Sequence, residues 1–116
     1  MRTDPNRFGH KVHQVLADYQ DRGQTAKDAG VKSDWPIGIG DGWMRLMTFD
    51  MSGEVPVVKV RTYSTHYKKL SVDTPEYAAW YKAHEQPHLS DADYQRMDDF
   101  SIELTDFRER FDASAK

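Results

Sequence analysis

The chain contains no cysteine. That excludes disulfides, cysteine-ligated zinc and a thiol nucleophile together, although it does not fix the compartment. Asparagine occurs once, at Asn6. No apolar run approaches the roughly 18 residues of a membrane-spanning helix, and 30% of the residues are charged, so no membrane partner is expected. A basic excess is also missing. Sixteen Lys and Arg stand against nineteen Asp and Glu, for a net charge of -3. The two signs are well mixed, so the chain lacks the basic stripe that nucleic-acid binding needs. Met1 to Arg7 has no apolar stretch, so it does not read as a signal peptide. There is no internal repeat and no low-complexity block. Apolar residues make up 38% and mean hydropathy is -0.83, a lean supply for a core. Aromatics at 12% partly offset this, because each buries a large area. A length of 116 residues suits one domain or part of one.

The strongest pattern runs from Gly42 to Ser64. Met44, Leu46 and Thr48 alternate with Trp43, Arg45, Met47 and Phe49. After a turn rich in Asp50, Ser52 and Gly53, Val58, Val60 and Thr62 alternate with Val57, Lys59, Arg61 and Tyr63. Period two on both sides of a polar, glycine-containing reversal predicts a hairpin over 42–64. Val58, Val60, Met44 and Leu46 on one side, with Met47, Phe49 and Val57 on the other, imply burial of both faces.

Around the hairpin the chain divides as follows. Residues 1–8 are polar and read as an arm. Lys11 to Gln20 is taken as a strand, although Val12, Val15, Leu16 and Tyr19 also fit a helical stripe. Residues 21–41 form a long glycine-rich connection, with one or two helical turns conceivable in Gln24 to Val31 and Trp35-Pro36 as an anchor to the body. Gly38 to Gly42 invites comparison with a phosphate cradle, but it leads into a strand rather than a helix. Thr74 as N-cap, Pro75 at the first position and Glu76 open a helix. Its aromatic stripe Tyr77, Trp80 and Tyr81 reads as core contact. Pro87 stops it, and Ser90 caps a second short helix ending near Met97, giving a helical insertion over 74–97. Asp99 to Phe107 alternates as a last, half-solvated strand. A charged tail, 108–116, carries a helical turn presenting Phe107 and Phe111. The acidic pairs Asp98-Asp99 and Asp91/Asp93 are explained first by capping and by a solvated strand start. The expected class is α+β and β-rich, with about four antiparallel strands and two short helices inserted before the last strand.

Gly42-Trp43-Met44-Arg45-Leu46-Met47-Thr48-Phe49-Asp50, followed by Val60-Arg61-Thr62-Tyr63-Ser64, resembles the C-terminal strands of calcineurin-like metallophosphoesterases. The upstream Gly9-His10-Lys11-Val12-His13-Gln14-Val15-Leu16-Ala17-Asp18-Tyr19-Gln20 resembles the strand that precedes them in one bacterial branch. Asp99-Phe100-Ser101 echoes the family's terminal strand. The resemblance implies the second-sheet portion of an αββα sandwich. In it Tyr19, Trp43, Arg45, Arg61, Tyr63 and Trp80 would serve packing or partner contact, and Met1 would lie inside a longer protein. The parent family binds two divalent metal ions that activate a bridging water, and its bacterial members are in some cases exported. Its ligand motifs, however, are not in this chain. Gly40-Asp41-Gly42-Trp43-Met44 lacks the second Asp, Gly9-His10-Lys11-Val12 lacks the second His, and there is no Asp-x-His and no Asn-His. No catalytic residue and no cofactor can therefore be carried over.

Independent sites are sparse. His10 and His13 share a face only in a helix. His84 and His88 are separated by Pro87, which interrupts a regular helix. These four are weak metal candidates, with surface histidine as the plainer reading. Three functions are therefore weighed. The first is a C-terminal structural segment of a metal-dependent phosphoesterase, inactive alone, whose partner is the missing N-terminal catalytic portion or a second copy through an exposed sheet face. The second is a free-standing β-rich binding module using the aromatic helix and the glycine-rich loop. The third is a small enzyme using its histidines.

Overall fold

The computed structural model describes residues 1–19, 22–23 and 40–111. Strands β1 (Arg2–Pro5) and β2 (Lys11–Gln14) form a two-stranded antiparallel ribbon. Strands β3 (Trp43–Asp50), β4 (Val57–Ser64), β5 (Lys69–Leu70) and β6 (Asp99–Glu103) form a four-stranded sheet. A 3-10 turn, Ser71–Asp73, leads into helices α1 (Pro75–His84) and α2 (Asp91–Asp98), and α3 (Phe107–Phe111) follows β6. The chain is thus α+β and strand-rich, with two helices inserted before the last main-sheet strand.

The arm is itself structured. Asn6 turns it by accepting the Phe8 and His10 amides on its side-chain oxygen at 2.9 and 3.0 Å. Gly9 takes the left-handed backbone at φ +80°, which a glycine adopts without steric cost. The strand expected over Lys11 to Gln20 ends at Gln14, because β1 supplies only four partners. Residues 15–19 continue without strand pairing, laying Val15 against the core. The last strand is likewise shorter than 99–107. The Leu104 amide still reaches the Pro56 carbonyl at 2.9 Å, but the Phe107 amide turns back to Leu104 at 3.1 Å and starts α3. Phe107 and Phe111 then pack with ring centroids 5.0 Å apart.

The hairpin forms as expected, with Trp43 opposite Ser64 and Asp50 opposite Val57. Asp50 shapes the turn by accepting the Ser52 hydroxyl at 2.7 Å and its amide at 3.2 Å. The Asp50 carboxyl is accordingly held below its ordinary range. The facial grouping differs from the sequence reading. Met47 lies opposite Val60 and Phe49 opposite Val58, whereas Met44 faces Tyr63 and Leu46 faces Arg61. Val58 and Val60 therefore share a face with Trp43, Arg45, Met47 and Phe49. Directly opposed residues in an antiparallel pair always lie on the same face, so register overrides the assignment made from either strand alone. On that face Val58, Val60 and Ile102 form the core, with Val15, Phe100 and Leu104 packed on it.

Strand β4 is central. It carries β3 along one side and β6 and β5 along the other. Helices α1 and α2 sit at the Trp43 end, joined to the sheet through the 3-10 turn. Ser90 caps α2 by accepting the Asp93 amide at 3.1 Å. Thr74 occupies the N-cap position of α1, yet its hydroxyl donates to the Ser71 carbonyl at 2.8 Å instead of capping the helix. The Cα radius of gyration is 17.8 Å, against about 13 Å for a compact chain of this length.

The expectations for Gln24 to Val31 and for Trp35-Pro36 lie outside the described residues. Of the Gly38 to Gly42 loop, only Gly40, Asp41 and Gly42 are described.

Candidate functional site

Two features stand out, one buried and one exposed. The buried one centres on Arg22, only 4% exposed. Its Nη1 and Nη2 donate to the two carboxylate oxygens of Asp98 at 2.9 and 2.8 Å. Nη2 also donates to the Tyr94 hydroxyl at 2.6 Å, and Nε lies 3.4 Å from that of Tyr77. The guanidinium carbon is within 5.5 Å of the ring centroids of Trp43, Tyr81, Tyr19, Tyr77 and Tyr94. Such contacts with ring faces are favourable, and more so when the cation is out of water.

Asp98 is 1% exposed and has partners besides the arginine. Ser71 donates its hydroxyl to the carboxylate, and Thr62 donates to the Asp98 backbone carbonyl at 2.9 Å. The Tyr19 hydroxyl joins at 3.2 Å from Thr62 Oγ1. Loop, β3, β4, 3-10 turn, α1 and α2 therefore meet at one ion pair. Burial disfavours the Arg22 charge, but hydrogen bonds and charge from Asp98 outweigh it and raise the guanidinium above its ordinary value. Burial also raises the Tyr77 and Tyr94 phenols, with Arg22 opposing the shift in both. The sequence alone points to no role for Arg22. Asp98 is not a solvated strand start but the buried counter-ion, placed by the last turn of α2.

The exposed feature is β3. Among the described residues it pairs with β4 alone, on one side. Its side chains remain open on both faces, with Met44 42%, Leu46 44%, Met47 46% and Phe49 62% exposed. Arg45 lies between the two features. Its guanidinium sits 5.2 Å from the Phe100 ring centroid and 5.9 Å from that of Tyr19, and Nη2 reaches the Met97 carbonyl at 3.1 Å. Its Nε and Nη1 are buried and have no hydrogen-bond partner among the described residues.

Of the residues expected to pack or to contact a partner, Tyr19 and Trp43 wall the arginine. Trp80 stacks on His84 at 5.0 Å beside Tyr77. Arg61 and Tyr63 lie on the opposite sheet face, Arg61 exposed and Tyr63 half-buried. The histidines are dispersed. His10 Nδ1 is 3.6 Å from Asp106, His13 meets Thr3 at 3.0 Å, His84 meets the Trp80 carbonyl at 2.9 Å, and His88 is exposed. Among the described residues no group of three or more His, Asp or Glu is arranged to hold a metal ion. None of their helices is long and apolar enough to cross a membrane. Set against models of known protein families, curated protein sequences and solved structures, the chain matches none.

Proposed function

We propose that this chain is the C-terminal structural segment of a calcineurin-like, metal-dependent phosphoesterase. In this reading it completes the second sheet of the sandwich, and phosphoester hydrolysis belongs to the whole enzyme. The supporting likeness lies in β3, β4 and the segment around Tyr19. The observation that carries the proposal is the edge of β3 that no described strand pairs, together with its exposed apolar side chains. Free-standing proteins blunt such edges with charge, proline or a covering element, and Met44, Leu46, Met47 and Phe49 leave apolar side chains exposed on both faces beside this edge. The N-terminal catalytic portion of the enzyme would be the element that pairs with β3. The described side chains do not assemble a donor set for the family's two metal ions, so no step of hydrolysis is assigned to this chain.

Sedimentation velocity of the purified chain, with hydrophobic-dye binding on the same sample, tests the reading. Self-association or strong dye binding is expected, together with no hydrolysis of bis(p-nitrophenyl) phosphate in the presence of Mn²⁺. A compact, dye-silent monomer would refute it, and would favour the binding-module alternative. One observation already weighs against that alternative: Tyr77 and Tyr81 of the aromatic helix turn inward onto Arg22 and leave little of the aromatic stripe for a ligand.

A further inference from the structure

The walls around Arg22 come from far along the chain and hold one another. Trp43 and Tyr77 lie 4.7 Å apart, Tyr77 and Tyr81 6.4 Å, and Tyr81 and Tyr94 5.8 Å between ring centroids. Asp98 is fixed from behind by Ser71, and its backbone by Thr62. None of these contacts needs the arginine. The arginine itself reaches Asp98 across 76 residues of sequence. Its backbone is tied in by two bonds, Arg22 N–H to Tyr19 C=O at 3.1 Å and Asp41 N–H to Arg22 C=O at 3.1 Å.

We propose that Trp43, Tyr77, Tyr81, Tyr94 and Asp98 form a preorganised guanidinium receptor for which the Arg22 side chain is the resident ligand, supplied by the same chain. The chemistry is selective. A carboxylate that accepts two parallel N–H bonds fits a planar guanidinium and not an ammonium. Aromatic faces favour a cation over a neutral isostere. The receptor is full in the native chain and takes an outside ligand only when Arg22 is shortened.

The test uses the full chain with Arg22→Ala and, to keep the aliphatic stem, Arg22→Met. Methylguanidinium is the probe, with methylammonium and urea as controls. Thermal midpoint and the Trp43 indole N–H resonance are followed. In Arg22→Ala, methylguanidinium should raise the midpoint and shift the resonance saturably at about millimolar concentration, as suits a ligand of so few atoms. Methylammonium should act at least about tenfold more weakly, urea should not act, and wild type should not respond. If Arg22→Ala does not fold unaided, the same probe should restore its far-UV signal. In Arg22→Met the retained stem fills the receptor and should weaken the response. No saturable response in Arg22→Ala, folded or not, or equal responses to urea or in the wild type, would overturn the proposal. Neither result depends on whether β3 meets a phosphoesterase partner.

Discussion

Replacing Asp98 by asparagine keeps its volume and removes the charge that faces Arg22. The pair is out of water, with side chains 5% and 1% exposed, so solvent screening does not soften the change. Removing one partner of such a pair costs about 3–5 kcal/mol, because the other charge stays buried and uncompensated. A chain of this length has about 6–17 kcal/mol in total. The substitution should therefore remove a large share of it and lower the thermal midpoint by roughly 10–20 °C. Circular dichroism melts and urea titrations measure both. A double-mutant cycle with Arg22→Met isolates the pair: adding Arg22→Met to Asp98→Asn should restore stability, since an apolar stem then replaces the stranded cation. A loss below about 1 kcal/mol, the range of exposed ion pairs, would refute the reasoning. It would mean that the five rings alone retain the cation.

Three further outcomes follow from the same geometry. The raised phenols of Tyr77 and Tyr94 stay protonated in the fold while their unfolded counterparts ionise near the ordinary value of 10. Stability from this source is complete below that pH and declines above it; urea midpoints at pH 9, 10 and 11 should fall, and a constant midpoint would contradict the assignment. Leu46→Lys and Phe49→Lys on β3 should reduce self-association and dye binding in sedimentation, while changing stability by no more than about 0.5 kcal/mol. Gly42→Ala places a side chain on a residue with φ +64° and drives its Cβ into the Thr65 hydroxyl, so it should cost about 2 kcal/mol in urea titration.

Much of the sheet was legible because period two is written directly in β3, β4 and β6. The helical insertion was legible from Pro75, Pro87 and the Ser90 cap. What each strand could not disclose alone was register, and so the partnering of Val58 and Val60 with Phe49 and Met47 was misjudged. The Asn6 and Gly9 turn was readable in principle, but the polarity of residues 1–8 suggested an arm. The Arg22 site was hidden for a different reason. Tyr77, Trp80 and Tyr81 read as an ordinary core stripe, Tyr94 carries no signal of its own, and the cation that Tyr77, Tyr81 and Tyr94 surround lies in a segment with no periodicity. The available signal was a buried-looking aromatic cluster ending in Asp98 at the last turn of a helix, a position where a carboxylate meets the unfavourable end of the helix dipole. That misfit asks for a nearby cation.

The 76-residue separation of Arg22 from Asp98 also sets an order of events during synthesis. At about 5–20 residues per second, Arg22 is added to the chain roughly 4–15 s before its counter-ion. Through that interval its charge can only stay hydrated, and the walls contributed by Tyr77, Tyr81 and Tyr94 are still being made. The Arg22 site therefore cannot close until α2 has been made. A nascent chain halted just before residue 98 would hold a tyrosine cluster with a cation to bury and no anion to neutralise it.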